Sequence, residues 1–156
     1  MTSTAISAQG TQLFVSNQDF TFGDGHTISV ANAKEVKNLK SFKGFDGQAT
    51  EVDVTNLSSS AKEYRLGLQD FGNLVFDVDR DFADAGQGEL DLAKRSSSMR
   101  YFLMVFPNSK AAKFAGFVKN SPLEGGVDQV IKSTGVTIRI TGSVDIVEFK
   151  KDEKSK

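Results

Sequence analysis

Residues 76–89 read FDVDRDFADAGQGE, and the placement of their acids decides between a metal-binding loop and a strand that runs into a helix. Asp77, Asp79 and Asp81 match the first three ligand positions of a calcium-binding EF loop. The sixth position, which needs Gly for its sharp turn, is Phe82, and the twelfth, which needs a bidentate Glu, is Gly88. Period-2 alternation accounts for the acids instead. Phe76, Val78, Arg80 and Phe82 fall on one face of a strand, and Asp77, Asp79 and Asp81 on the other. Burying the two Phe rings would contribute about 1.5–3 kcal/mol each, enough to select the inward face. Asp84 then stands where it can cap the free N–H groups of a helix over about 84–95, with Gln87 completing a capping-box pattern. Leu90, Ala93 and the stem of Lys94 share one face of that helix, and Lys94 and Arg95 near its end suit the helix dipole. Gly86 and Gly88 each cost about 1 kcal/mol relative to Ala in a helix, so packing must hold it.

Outward from this stretch the chain reads as strands. Val136, Ile138 and Ile140 alternate with Thr137, Arg139 and Thr141, and Glu51-Val52-Asp53-Val54-Thr55 alternates in the same way. Leu13–Val15, Lys113–Val118 and Val144–Val147 are further strand candidates by β-branched and aromatic content. Tyr101 to Phe106 is apolar on both faces, which predicts a strand covered on both sides. Pro107-Asn108-Ser109-Lys110 reads as a turn, so 99–119 is expected to form a hairpin. The architecture is mainly β.

Composition narrows the function classes. A chain of 156 residues is one domain by prior, long enough to bury roughly 70% of the surface its unfolded form exposes. A net charge of −1 calls for neither nucleic acid nor an anionic membrane as a partner. Thirteen Phe and no Trp predict a phenylalanine-rich core. The absence of Cys removes disulfides, thiolate zinc sites and cysteine nucleophiles together. MTSTAISAQG at the start lacks the basic and apolar regions of a secretory signal. No apolar run approaches the ~20 residues of a membrane span, and the chain is expected to be soluble and intracellular.

Chemistry-bearing residues are sparse. His26 is the sole histidine and lies in the turn-rich Gly23-Asp24-Gly25-His26, where a surface-loop residue is the expected reading. Neither Ser58–Ser60 nor Ser96–Ser98 sits in a nucleophile elbow. Gly125-Gly126 lacks the Lys and the helix of a phosphate-binding loop and reads as a hinge. Lys34, Lys37, Lys40 and Lys43 recur every third residue, a spacing that scatters them between the faces of a strand as solvated or rim charges. No catalytic constellation, metal cluster or cofactor motif emerges.

The run EVDVTNLSSSAKEYRLGLQDFGNLVFDVDRDFADAGQGE at 51–89 resembles the central segment of the tail tube proteins of long-tailed, lambda-like bacteriophages. The shared pieces are Lys62-Glu63-Tyr64, Gly67-Leu68, Asp70, Gly72 and the helix start Asp84-Ala85-Gly86-Gln87. Phe106-Pro107-Asn108, Phe114-Ala115-Gly116-Phe117-Val118, Gly125-Gly126-Val127-Asp128 and VTIRITGSV at 136–144 follow in the family's order, and AISAQGTQLFVSN fits its N-terminal part. Where relatives often continue the helix with Leu and Ala, this chain has Glu89, Asp91, Lys94 and Arg95.

The resemblance implies a β-sandwich or barrel-like tail-tube fold with one short helix, a single domain over 1–149, and a flexible charged tail at 150–156. The immunoglobulin-type module of some relatives is not expected. Members form hexameric rings that stack into a hollow tube, in which neighbouring copies pair the open sheet edges. The implied partners are further copies of the chain, the tape-measure, tail-tip and tail-terminator proteins, and viral DNA that passes without specific binding. No cofactor and no membrane span are implied, and the expected location is the virion after assembly in the host cytoplasm. A lumen that does not grip phosphates favours acids or neutral polar groups, which makes Glu51, Asp53, Asp77 and Asp79 candidates for its lining. The segment 56–71 is expected to be a loop reaching the next ring through Leu57, Tyr64, Leu66 and Leu68, apolar groups out of place on a lone surface loop. Deleting 57–66 should then leave a folded monomer that cannot polymerise. Two alternatives stand beside this reading: the tube of a phage-tail-like or type VI secretion particle, and a monomeric β-sandwich binding module.

Overall fold

The computed structural model describes residue 5 and residues 8–19 and 33–148. Its strands are β1 (Gln12–Asp19), β2 (Ala33–Val36), β3 (Leu39–Gly44), β4 (Ala49–Asp53), β5 (Tyr64–Gln69), β6 (Asn73–Asp79), β7 (Met99–Val105), β8 (Lys110–Asn120) and β9 (Lys132–Glu148), with one helix, α1 (Ala85–Ser96). Seven strands form an antiparallel sheet in the order β2-β1-β7-β8-β9-β6-β3, while β4 and β5, among the described residues, pair only with each other.

The two outermost strands of the large sheet are β2 and β3, which only Lys37 and Asn38 separate in the chain. So short a link reaches about 11 Å, so the sheet has to curl until its edges meet. Asn38 makes the corner with a φ of 65°, a left-handed conformation that Asn tolerates better than most residues. The result is the sandwich-like, nearly closed sheet that the family resemblance implied.

Inside the curl lie Leu74, Phe76 and Val78 of β6 and Val136, Ile138 and Ile140 of β9, together with Leu13, Phe102 and Phe114. Phe102 and Phe114 stack with centroids 5.4 Å apart, and Phe45 meets Phe114 edge-on. A second cluster of Phe14, Leu103, Val105 and Ala111 lies apart from this core. Strand β7 alternates between the two, so the doubly apolar run at 101–106 is covered on both sides as expected.

The 99–119 hairpin forms, with Phe106 N–H donating to the Lys110 carbonyl at 2.8 Å across the turn. The segments 136–141 and 144–147, which read as separate strands, belong to the single 17-residue strand β9. Gly142 joins them at a φ of 83°. There Lys113 pairs with Asp145 but Ala115 with Thr141, so β9 bulges and changes direction without leaving β8.

The inward face of 76–82 needs a correction at its end. β6 stops at Asp79, and Phe82 is 68% exposed. The chain has by then turned into the helix cap, so strand alternation no longer sets side-chain direction. Arg80 is the residue that tucks in, its guanidinium 2.6 Å from Asp91 and 5.1 Å from the Phe82 ring centroid. Glu89 similarly pairs with the buried Arg100 at 2.7 Å. The acids that depart from the family's Leu and Ala on α1 thus each neutralise an arginine of the body.

Helix α1 starts where the sequence places it, with Asp84 Oδ2 accepting the Gln87 N–H at 3.1 Å. The returning half of the capping box does not form. Gln87 is buried, and its amide donates to the carbonyls of Lys37 and Asp79, both at 3.0 Å. Gly86 lies so close to β2 that a Cβ there would stand 2.0 Å from the Glu35 carbonyl oxygen. The glycine that weakens the helix lets it cover the sheet edge, while Lys94 stays exposed.

Candidate functional site

The expectation of a loop over 56–71 is corrected: Tyr64–Gln69 is strand β5, paired with β4 in a hairpin arm beside the large sheet. The alternation of Tyr64, Leu66 and Leu68 with Arg65 and Gln69 had that period all along. The arm's tip ties itself together. Val54 N–H donates to the Glu63 carbonyl at 3.0 Å, Glu63 N–H to Thr55 Oγ1 at 2.8 Å, and Ser58 N–H to Asn56 Oδ1 at 2.8 Å. Ser59 Oγ bonds the Glu63 carboxylate. Hydrogen bonds from Thr55, its hydroxyl first and its N–H second, hold the Asp53 carboxyl below the usual carboxylate range.

The arm's root is rigid. A Cβ on Gly47 would stand 1.8 Å from the Asp70 carbonyl oxygen, so two backbones cross there in contact. Asp70 pairs with Arg139 of β9 at 2.7 Å and accepts the Gly72 N–H at 2.8 Å, and its carboxyl is held low by Arg139 first and Gly72 second. Phe45 and Phe71 on either side of the crossing pack against the core.

Beyond this root the arm is bare. Leu57, Leu66 and Leu68 are 107%, 69% and 92% exposed, and Tyr64 and Val52 are about half exposed. Register sets which side chains act together. Glu51 lies opposite Leu66 and Asp53 opposite Tyr64, and cross-strand partners share a face. Two of the acids expected in a lumen therefore lie on the same surface as two of the apolar groups expected in a contact. Val52 sits opposite Arg65 on the reverse face.

Asp77 and Asp79 are elsewhere, on the large sheet, half-buried on the face opposite Phe76 and Val78. Asp77 accepts Ser41 Oγ at 3.2 Å and the Gly135 N–H at 2.8 Å; Asp79 lies 3.7 Å from Lys40 Nζ and opposite Lys132 in register. Ser41, Lys43, Thr137 and Arg139 complete this polar face by register. The outer edge of β3 has no strand partner among the described residues. His26 and the tail at 150–156 lie outside the described residues, and no helix among those described is long and apolar enough to cross a membrane.

A family model described as "Phage tail tube, TTP, lambda-like" matches residues 4–110, a span that contains the arm and α1. No curated protein matches the chain. Among solved structures, the SPP1 tail tube determined by solid-state NMR and cryo-EM is similar with a TM-score of 0.72 at 13% identity, over 97% of this chain and 84% of that one. A chain of the anti-feeding prophage (AFP) baseplate is similar with a TM-score of 0.63 at 12% identity, over 96% and 99%. At such identities the likeness carries the fold: a mostly β, sandwich-like subunit with one helix.

Proposed function

The chain belongs to the lambda-like phage tail tube family, and on that premise we propose that its copies close into hexameric rings and stack into the hollow conduit through which viral DNA reaches the host. It is a structural tube protein of the virion. The observation that carries the reading is the β4–β5 arm, whose Tyr64, Leu66 and Leu68 stand exposed on a rigid root. Moving side chains of this kind out of water contributes about 1.5–3 kcal/mol each when burial is complete. An assembly supplies that burial and a monomer does not.

Within a ring, the open edge of β3 is the place for a neighbour's strand, and the polar face beside it becomes the wall of the lumen. We assign the lining to Asp77 and Asp79 on that face. Glu51 and Asp53 go with the arm into the subunit contact, because Tyr64 and Leu66 share their surface. Lys40 and Arg139 near the proposed wall are already paired with Asp79 and Asp70. Cations so neutralised release fewer counterions on meeting DNA, which weakens the hold of these two side chains on the cargo. Residues 1–149 form one tail-tube domain in this reading, with no catalytic role, assembled in the host cytoplasm against tape-measure, tail-tip and tail-terminator proteins.

Electron microscopy of concentrated protein tests the proposal, with and without tail-tip complexes as seeds. Rings or hollow tubes are expected. Monomers alone in the seeded sample would overturn it. The likeness to the anti-feeding prophage baseplate supports a second reading, the tube of a phage-tail-like particle. Neighbouring terminase genes would favour the phage, and secretion ATPase genes the particle.

A further inference from the structure

An arm needs a surface that receives it, and the body carries one of matching chemistry. Phe82 and Leu123, 68% and 57% exposed, stand with Lys94 and Arg95 around a groove of about 340 Å³ between α1 and the segment after β8. The Arg80–Asp91 pair lines the same groove and balances its own charge at 2.6 Å. Lys94 and Arg95 have no ion-pair partner among the described residues. Arg80 Nε is buried there without an acceptor. The groove thus offers two apolar side chains and two uncompensated cations. One face of the arm offers the complement: Tyr64 and Leu66, with Asp53 and Glu51 directly opposite them.

We propose that this groove receives the β4–β5 arm of a second copy of the chain, with Tyr64 and Leu66 against Phe82 and Leu123, and Glu51 and Asp53 facing Lys94 and Arg95. The inference rests on the reading of the arm as an assembly element and names the surface that completes it. Two simpler pairings fail on charge. Arm against arm sets acids against acids, groove against groove sets cations against cations, and both close after two copies. Arm into groove is a head-to-tail contact: each copy that joins leaves one free arm at one end and one free groove at the other. Such a contact is free to propagate along an axis, as stacking requires, where a two-copy pairing is not.

The absence of cysteine from the sequence makes disulfide trapping clean. Leu66→Cys and Leu123→Cys variants, mixed, assembled and mildly oxidised, should give a disulfide-linked dimer containing one of each. Leu66→Cys mixed with Ile146→Cys, an exposed position on β9, should not. Charge reversal is the second arm of the test. Glu51→Lys with Asp53→Lys, or Lys94→Glu with Arg95→Glu, should each abolish tubes while the monomer still folds. The first pair should leave its melting curve in place, and the second should lower it slightly by setting acids at the negative end of α1. All four reversals in one chain should restore them. Loss of tubes without restoration, and without the 66–123 disulfide, would overturn the groove as receptor while leaving the arm an assembly element. Tubes that form normally with the reversed arm and with Tyr64 and Leu66 changed to Ser would overturn both readings.

Discussion

Gln87 and Lys37 stand 50 positions apart, and the side-chain amide of the first donates to the backbone carbonyl of the second at 3.0 Å. Asp84 Oδ2 accepts the Lys37 N–H at 3.1 Å, so the start of α1 holds both polar backbone groups of one corner residue. The same Gln87 amide reaches the Asp79 carbonyl, and its oxygen accepts the Asp81 N–H at 3.0 Å. The Asp-Ala-Gly-Gln segment thereby joins the β2–β3 corner, the end of β6 and the helix.

Gln87→Leu should destabilise the fold by about 1–3 kcal/mol, because it leaves two carbonyls and an N–H without their part-buried hydrogen bonds. Gln87→Glu should also destabilise, since a carboxylate accepts the Asp81 N–H but donates to neither carbonyl. Urea unfolding midpoints measure both. An unchanged midpoint for Gln87→Leu would remove the residue from this role.

The two helix glycines should respond in opposite directions. Gly86→Ala drives a methyl into the Glu35 carbonyl oxygen and should cost about 1–3 kcal/mol through overpacking. Gly88 has nothing within 4 Å of an added Cβ, so Gly88→Ala should gain up to about 1 kcal/mol of helix propensity. Thermal melts of the two variants, side by side, decide it.

Asp91→Ala leaves the Arg80 guanidinium, 4% exposed, without its counterion. A loss of about 2–4 kcal/mol is expected, short of the largest such penalties because Asp91 itself is 37% exposed. Replacing both partners, Arg80→Met with Asp91→Leu, should recover most of it. A double-mutant cycle by chemical denaturation reads the difference directly.

Acid should weaken the root of the arm. Arg139 and the Gly72 N–H depress the Asp70 carboxyl in the folded chain. Its contribution is therefore fully present above the unfolded carboxyl's pKa of about 3.9, and it is lost as pH falls through the lower folded value. Asp70→Asn should be less stable than the parent at neutral pH, with the gap narrowing below about pH 4. Melting temperatures at neutral and strongly acid pH test the sign, and a constant gap would contradict it.

Changing Tyr64, Leu66 and Leu68 together to Ser should leave the monomer's stability within about 0.5 kcal/mol, as exposed sites do, yet abolish tubes in the microscope. This is a sharper test than deleting 57–66, which would cut into β5. A folded triple variant that still makes tubes would strip the arm of its role.

Much of this fold was legible in the chain because local patterns agreed with global packing. The inward sets of β6 and β9, the β7–β8 hairpin and the Asp84 cap all follow from period and cap chemistry. The corner was not legible, since one broken strand supplying both edges of a sheet leaves no periodic trace beyond the Asn at position 38. Gln87 misled for a related reason: its spacing fits a capping box, and only the tertiary fold brings Lys37 within its reach. β5 was missed because its exposed Leu and Tyr look like loop residues wherever no partner is considered. The acid pairs at 51–53 and 77–79 look alike in sequence, and only strand pairing puts them on different sheets.

The corner at Lys37 and Asn38 has a mechanical consequence. A neighbour pulling on the edge of β3 pulls, through two residues, on β2 at the opposite edge and on the helix that pins both. The load runs round the subunit as round a buckled strap and does not fall on β3 alone. Strain that reaches this edge is shared by β3, β2 and the helix, and the buckle that couples them is the Gln87–Lys37 bond.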